Sequence, residues 1–180
     1  MLTALLIIDT QRALFDADPR PLEADAVLAR INTLADRARA NAAPVFFIQH
    51  ETPAGDLAHG STGWQLQPNL VVRPGHQDVR KTTPDSFLRT DLQDRLRAAG
   101  VNRLVVCGYA SEFCVDTTVR RAAALGYPVV LASDAHTTHD KPHASAAQIR
   151  AHHNATLPEV TSFGPIITAV AAAEIAFAPG

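Results

Sequence analysis

The stretch of residues 101–121, VNRLVVCGYASEFCVDTTVRR, constrains the fold more than any other part of the chain. It begins with an apolar run at 104–107 that is too short for a helix and rich in β-branched residues, which indicates a buried strand. Residues 108–111 break this run. From Glu112 onward apolar residues recur three or four positions apart, which predicts a helix. Cys114 is therefore expected on the first turn of a helix that follows a strand.

That position makes Cys114 a candidate catalytic nucleophile. The free N–H groups and the positive end of the helix dipole favour a thiolate at a helix N-terminus. Lys81, which ends a predicted strand, is expected to stabilise the thiolate as well. The sequence therefore predicts a lowered pKa for the Cys114 thiol. A strand followed by a turn and a helix also places the side chain at the carboxyl edge of the sheet, where open α/β sheets bind ligands.

Composition excludes several classes of protein. The 180 residues fit a single domain, 1–180, and 47% hydrophobic with 19% charged residues is ordinary for a globular protein. A net charge of −2 with mixed signs argues against a nucleic-acid or membrane partner. No apolar run approaches the roughly 20 residues of a membrane helix, and the N-terminus does not resemble a signal peptide. Cys107 and Cys114 suit neither a disulfide nor a metal motif, which predicts a reduced, cytoplasmic protein.

Strand and helix patterns alternate along the chain. Apolar strands are predicted at 2–8, 45–48, 78–81, 104–107 and 127–132, with a short sixth strand near 159–161. Helices are predicted at 21–42, 88–99, from 112 onward, at 144–157 and, in the alanine-rich end, at 165–177. The alternation predicts an α/β fold: a doubly wound, Rossmann-like, mostly parallel six-stranded sheet in the order 3-2-1-4-5-6, with helices on both faces.

A long segment without periodicity, residues 49–74, connects the second and third strands. Loops of this length inside compact domains are usually functional or mobile. Trp64 in this segment is either a lid or subunit contact or a packed anchor of the loop. His50 and His59 are either residues of a site or ordinary loop histidines, and the pattern leaves both alternatives open.

Two charged residues join Cys114 at the predicted sheet edge. Asp9 follows the first strand and Lys81 ends the third, so one crevice would hold all three side chains. Taken alone, an aspartate after a strand is more often a turn residue, and a lone lysine is more often a surface charge. Together they form a coherent set: Asp9 takes the thiol proton, Lys81 stabilises the thiolate and Cys114 attacks a carbonyl.

Four sequence pieces carry a resemblance to a known family. They are LLIIDTQRALF, VRKTTPDSFLRTDL, VVCGYASEFCVDTTVRRAAALGY and VVLASDAHTT. In this order and spacing the chain resembles the isochorismatase-like cysteine hydrolases over nearly its whole length. The resemblance implies an Asp-Lys-Cys triad at Asp9, Lys81 and Cys114. It also implies a cis peptide bond between Tyr109 and Ala110, with the N–H groups of Ala110 and Cys114 forming an oxyanion hole.

The chain departs from the metal-binding members of this family. Its nicotinamidases hold a metal through an Asp-x-His pair after the second strand, and here Gln49 and Glu51 stand at those positions with His50 between them. This exchange removes the expected ligand set and argues against both a metal and nicotinamide. True isochorismatases lack the cysteine, so Cys114 favours the amidase branch of the family.

Aromatic residues near the triad are candidate walls of a small substrate pocket. Phe15, Phe87 and Tyr109 lie close to triad residues in the predicted fold, and Trp64 belongs to the long loop. A role in core packing explains the presence of Phe15 and Phe87 almost as well as a role in the pocket wall.

The sequence therefore predicts a cysteine hydrolase without metal or cofactor that cleaves a C–N bond of a small amide or ureido compound through a thioester. Two alternatives stay open: a metal-assisted, nicotinamidase-type amidase, and a non-catalytic or redox thiol protein on the same fold. The apolar surface of the loop and of the predicted terminal helix indicates a homodimer or homotetramer, and the family resemblance points the same way.

Overall fold

The computed structural model describes residues 2–177. Six strands form one sheet in the order β3-β2-β1-β4-β5-β6, and each neighbouring pair is parallel. The predicted strand order is confirmed. The strands are β1 (Thr3–Ile8), β2 (Val45–His50), β3 (Gln77–Lys81), β4 (Arg103–Tyr109), β5 (Val129–Thr137) and β6 (Ile167–Val170).

Helices and helical turns connect these strands. The α-helices are α1 (Arg12–Phe15), α2 (Ala24–Ala40), α3 (Leu92–Ala98), α4 (Asp116–Ala124) and α5 (Ala146–Thr156). A π-helical turn, Ser111–Val115, precedes α4, and short 3₁₀ turns lie at Leu157–Glu159 and Ala172–Glu174. Within residues 2–177, no helix combines the length and the apolar character that crossing a lipid bilayer requires.

The helices cover both faces of the sheet because its strands are apolar on both faces. All six residues of β1 are buried, as is usual for a central parallel strand. Leu5 and Ile7 face an apolar cluster that includes α2, whereas Leu6 and Ile8 face a second cluster that includes α3 and α4. Successive side chains along a strand point to opposite faces, which divides the core in this way.

The C-terminal segment differs from the sequence prediction. Residues 165–177 contain β6 and a 3₁₀ turn instead of an alanine-rich helix, and the strand expected at 159–161 is a 3₁₀ turn followed by loop. Ile167 pairs with Val129, so the segment extends the sheet by one strand. The helix propensity of alanine is a weak preference, and pairing with the edge of the sheet overrides it.

Arg37 of α2 holds the end of this segment in its non-helical path. Its guanidinium donates hydrogen bonds to the carbonyls of Ala172, Ala173 and Ile175 at 2.9, 3.1 and 2.8 Å. These carbonyls therefore have a partner outside any α-helix. The apolar terminal helix that contributed to the expectation of an oligomer does not exist in the described chain.

Two elements at the carboxyl edge of the sheet also differ from the prediction. Residues Arg12–Phe15, for which the sequence predicts no helix, form α1, and β5 continues to Thr137 instead of ending at residue 132. The pairing of β4 with β5 shifts register between Val106 and Gly108. The shift brings His136 opposite Gly108 and lets β5 run alongside the whole of β4.

Gly108 lies where β4 comes closest to β1. Its φ is +118°, and a Cβ at this position would lie 2.1 Å from the carbonyl oxygen of Ile8 and 2.7 Å from its nitrogen. Only glycine allows this approach, and the residue after Ile8 is Asp9. The position of Asp9 relative to the turn after β4 therefore depends on Gly108.

We expect Gly108→Ala to lower the free energy of unfolding by at least about 3 kcal/mol, because a clash with the backbone adds to an unfavourable φ. Urea unfolding followed by circular dichroism measures the loss. Gly126→Ala is the matched control, since Gly126 also has a positive φ (+96°) but has open space around it; its loss should be about 1 kcal/mol. Equal losses in the two variants would contradict the close approach of β4 and β1.

Candidate active site

One crevice at the carboxyl edge of the sheet contains the three residues that the sequence singles out. Asp9 follows β1, Lys81 ends β3, and Cys114 lies in the π-helical turn after β4. The Lys81 ammonium donates hydrogen bonds to Asp9 Oδ2 at 2.7 Å and to Cys114 Sγ at 3.2 Å. The side chains of Lys81 and Asp9 are 0% and 2% exposed. The structure thus brings these residues into direct contact.

One oxygen of the Asp9 carboxylate is hydrogen-bonded, and the other can still accept a hydrogen bond. Oδ2 accepts from Lys81, whereas Oδ1 is buried and has no hydrogen-bond partner within residues 2–177. A buried acceptor without a donor is unfavourable, so Oδ1 gains from any donor that reaches it. The thiol of Cys114, whose sulfur lies within 4.8 Å of the carboxylate, is such a donor. The arrangement suits proton transfer from Cys114 to Asp9.

The Cys114 thiol is protonated at rest, which corrects the lowered pKa expected from its place in the sequence. Burial is the largest cause and, with the Asp9 carboxylate, raises the pKa of Cys114 to about 12, although Lys81 opposes the rise. Desolvation disfavours the charged thiolate and outweighs the helix terminus. A thiolate at Cys114 therefore requires a neighbouring group that takes its proton. Cys107 on β4 is fully buried, and burial raises the pKa of its thiol as well.

The turn between β4 and α4 folds the backbone around Cys114. The peptide bond between Tyr109 and Ala110 is cis. The N–H groups of Phe113 and Val115 both donate to the Ala110 carbonyl at 3.1 Å. These two bonds hold Ala110 beside Cys114, and Ala110 and Cys114 line the same cavity.

This cavity has a volume of about 210 Å³. That is below the roughly 300–1,000 Å³ of pockets for drug-sized ligands, so it suits a small molecule. The hydroxyl of Tyr109 is hydrogen-bonded to His139 Nδ1 at 2.8 Å. Tyr109 therefore contributes mainly its aromatic ring to the cavity wall. The lining residues are Asp9, Leu14, His50, Leu57, Pro84, Tyr109, Ala110, Phe113 and Cys114.

A larger cavity of about 410 Å³ lies beside α5 and is lined in part by Glu112, His143, His152 and His153. None of its lining residues is a cysteine or belongs to the crevice around Lys81. The smaller cavity, which opens onto Cys114, is therefore the candidate active site despite its size.

Phe15 and Phe87, both expected at the pocket wall, lie behind it. Phe15 is fully buried and packs edge-on against Tyr109, with ring centroids 5.8 Å apart. Phe87 stacks on Tyr127 in the core of the opposite face. Neither side chain lines the cavity, and Phe15 influences it only through Tyr109.

Trp64 fixes the long loop to the sheet. Its backbone carbonyl accepts hydrogen bonds from the side chains of Gln11 and Gln49, both at 2.9 Å. Its ring packs edge-on against His59, with centroids 4.7 Å apart. These are the contacts of a packed anchor, and Trp64 does not line the cavity.

Four lining residues are absent from the sequence prediction: Leu14, Leu57, Pro84 and Phe113. Phe113 directly precedes Cys114 in the sequence, and this adjacency is a feature from which its place at the cavity could be predicted. Leu14 belongs to α1, which the sequence did not reveal as a helix. Leu57 comes from the long loop, whose path no periodicity determines.

Asp9, His50 and Cys114 form the one group in residues 2–177 whose possible metal-ligand atoms lie within 4.8 Å of one another. The Lys81 ammonium already contacts all three, at 2.7 Å from Asp9, 3.3 Å from His50 and 3.2 Å from Cys114. A divalent cation among these atoms would meet the positive charge of the ammonium at close range. The donor set therefore fits the lysine and does not fit a metal ion.

The positions that correspond to the metal ligands of nicotinamidases are engaged elsewhere. The Gln49 side chain donates to the Trp64 carbonyl. Glu51 binds the Arg80 guanidinium through both carboxylate oxygens, at 2.7 and 3.0 Å. In this structure both side chains bind protein groups, the Trp64 carbonyl and the Arg80 guanidinium.

Comparison with known proteins places this chain in a family. Residues 3–169 match the family model described as the isochorismatase domain. A streptothricin hydrolase of Streptomyces noursei is 43% identical over 143 residues, which is 77% of this chain and 56% of that protein. The chain thus spans little more than half the length of this relative.

Solved structures agree. A crystal structure of an isochorismatase family protein, 36% identical, superimposes with a TM-score of 0.85 over 94% of this chain and 98% of that one. An isochorismatase from Pseudomonas putida, 29% identical, gives a TM-score of 0.86 over 96% and 89% of the two chains. The protein belongs to the isochorismatase family. The family predicted from the four sequence pieces is thereby confirmed, and one of its members that resembles this chain is named as a hydrolase.

Asp9→Asn should separate the two effects that Asp9 has on Cys114. Removal of the negative charge lowers the pKa of the thiol, so iodoacetamide should alkylate Cys114 faster than in the wild type at the same pH. Turnover should nevertheless fall by about 10²–10⁴-fold, because the proton acceptor is lost. Mass spectrometry of the labelled peptides measures the alkylation, with buried Cys107 as the internal control. Unchanged or slower alkylation of Cys114 would contradict the contact with Asp9.

Proposed function

We propose that this protein is a metal-free cysteine hydrolase that cleaves a C–N bond of a small amide or ureido compound through a thioester on Cys114. The observation that carries the proposal is the buried Lys81 ammonium, which joins a carboxylate to a thiol beside an apolar cavity. These groups supply a base, a nucleophile and a charge that stabilises both. The streptothricin hydrolase relative supports hydrolytic chemistry on this fold.

In the first half of the reaction, Asp9 Oδ1 accepts the thiol proton and the Cys114 sulfur attacks the carbonyl carbon of the amide. The carbonyl oxygen becomes an oxyanion, which the N–H groups of Ala110 and Cys114 stabilise. The C–N bond then breaks, and the leaving nitrogen takes the proton from Asp9. The products are a free amine or ammonia and a thioester on Cys114.

In the second half, Asp9 takes a proton from a water molecule that attacks the thioester carbonyl. The same backbone N–H groups stabilise the second oxyanion. The C–S bond breaks, the sulfur recovers the proton from Asp9, and the carboxylic acid leaves. The Lys81 ammonium lies between two groups that carry negative charge in turn, Asp9 and the Cys114 sulfur.

The cavity indicates that the part of the substrate bound there is uncharged. The lining side chains with polar atoms are Asp9, His50, Cys114 and Tyr109, whose hydroxyl is bonded to His139. None offers a cation to a substrate carboxylate, since the Lys81 ammonium is already bound to the first three. A buried carboxylate without a counter-ion is strongly unfavourable.

Formation of the acyl-enzyme tests the proposal. We expect wild-type protein to release ammonia from small amides and to show a thioester on Cys114 by mass spectrometry, whereas Cys114→Ala should show neither. Cys114→Ser should be almost inactive, because a carboxylate is too weak a base for a hydroxyl. Prolonged treatment with EDTA should leave the rate unchanged. Loss of activity in EDTA that one metal restores would favour the nicotinamidase-type alternative instead.

Matched substrate pairs test the charge preference. Butyramide should be hydrolysed faster than succinamate, and propylurea faster than 3-ureidopropionate, because only the second member of each pair carries a carboxylate. The ratio of kcat/KM values should be at least about tenfold in each pair. Equal rates, or faster hydrolysis of the acids, would contradict a neutral pocket.

Two further expectations stay predictions. The prediction of a homodimer or homotetramer no longer has the support of an apolar terminal helix. Its remaining support is Phe113, a large apolar side chain that lines the cavity and is 53% exposed. A second copy of the chain that covered Phe113 would also close the cavity. A cytoplasmic location rests on composition and cysteine usage alone.

A further inference from the structure

His50 makes a contact that the proposed chemistry does not use. A lysine ammonium has three N–H groups, and Lys81 has three acceptors within reach. Two are Asp9 Oδ2 and Cys114 Sγ, at 2.7 and 3.2 Å. The third is the imidazole Nδ1 of His50, at 3.3 Å.

The sheet and Gln11 place His50 beside Lys81. His50 and Lys81 are direct partners in the parallel pairing of β2 and β3, so their side chains emerge next to each other. Gln11 binds the His50 backbone on both sides: its Oε1 accepts from the His50 N–H at 2.8 Å and its Nε2 donates to the His50 carbonyl at 2.9 Å. These two hydrogen bonds fix the backbone from which the His50 imidazole extends.

The contact requires the neutral ring, with the lone pair of Nδ1 toward Lys81 and the proton on Nε2. An ammonium has no lone pair to offer, so an N–H at Nδ1 would point at another donor. The contact with Lys81 therefore favours the Nε2–H tautomer.

We propose that His50 is a positioning residue, which in its neutral form holds the Lys81 ammonium between Asp9 and Cys114. When His50 gains a proton, Lys81 loses its third acceptor and faces a second positive charge at 3.3 Å. The ammonium is then displaced from the pair that it joins. This role rests on the proposed hydrolase mechanism, because it acts through Lys81 and not on the substrate.

The charges around His50 define the pH range of the effect. Burial and Lys81 on β3 lower the pKa of His50, while Asp9 after β1 and Glu51 beside it on the chain oppose this; the net direction is downward. Arg80 pairs with Glu51, and the nearby Cys114 thiol is neutral. Activity should therefore be complete at neutral pH and decline as the pH falls through a value below the usual histidine pKa of about 6.5.

Two substitutions of His50 test the role by kinetics. Asparagine carries an oxygen near the place of Nδ1 but does not titrate, so His50→Asn should keep an acceptor for Lys81 and lose the acidic decline of kcat/KM that His50 causes. His50→Phe keeps a flat ring without an acceptor, and its kcat/KM should be lower by roughly 10–100-fold at all pH values. His59→Asn, in the long loop that follows β2 and off the cavity, is the control and should retain the wild-type profile.

Nuclear magnetic resonance of histidine nitrogens tests the contact without a substrate. We expect His50 to show an unprotonated Nδ1 at neutral pH and to titrate below the usual histidine pKa of about 6.5. In Lys81→Ala the pKa of His50 should rise, because a neighbouring positive charge has been removed. Thermal unfolding establishes that each variant is folded before either measurement is interpreted.

Definite results would overturn the inference. In the resonance experiment, these results are a protonated Nδ1 or a His50 pKa that stays the same in Lys81→Ala. In the kinetic experiment, they are wild-type kcat/KM values in His50→Phe or an acidic decline of kcat/KM that persists unchanged in His50→Asn. A wild-type protein that hydrolyses no amide would refute the proposed function alone. The resonance measurement would still decide whether neutral His50 holds Lys81.

Discussion

The buried charge of Lys81 is the constraint on which the rest of the site depends. An ammonium removed from water is strongly unfavourable unless acceptors replace its hydration. Here Asp9, His50 and Cys114 replace it, each at hydrogen-bond distance from the same nitrogen. These acceptors follow three different strands or end them, so the compensation exists only in the assembled sheet. Removal of any one leaves part of a buried charge without a partner.

The sheet supplies this arrangement through parallel strands that end at one edge. β3, β2, β1 and β4 lie side by side, and their carboxyl ends carry Lys81, His50, Asp9 and the turn with Cys114. Gly108 lets β4 pass so close to β1 that no side chain fits between them. A parallel sheet therefore serves as a frame in which side chains distant in sequence meet without any loop having to hold them.

Burial also explains the protonation states and the chemistry proposed for them. In a poorly hydrated site a free thiolate is unfavourable, so the pKa of Cys114 is raised to about 12 and the thiol proton stays in place until it is transferred. An Asp9 oxygen without a partner is available to receive it. The neutral substrate that we propose follows from the same physical reason, since an apolar cavity disfavours any unpaired charge.

The sequence by itself determined the sheet order, because apolar strands alternate with amphipathic helices and parallel crossovers leave few topologies. It also determined that Asp9, Lys81 and Cys114 would meet, since each follows or ends a strand. Only the tertiary structure decided the remaining features. Pairing with β5 overrode the helix propensity of residues 165–177, and burial overrode the helix-terminus effect on Cys114. The cavity wall and the contact of His50 with Lys81 depend on loop path and strand register, which local patterns do not encode.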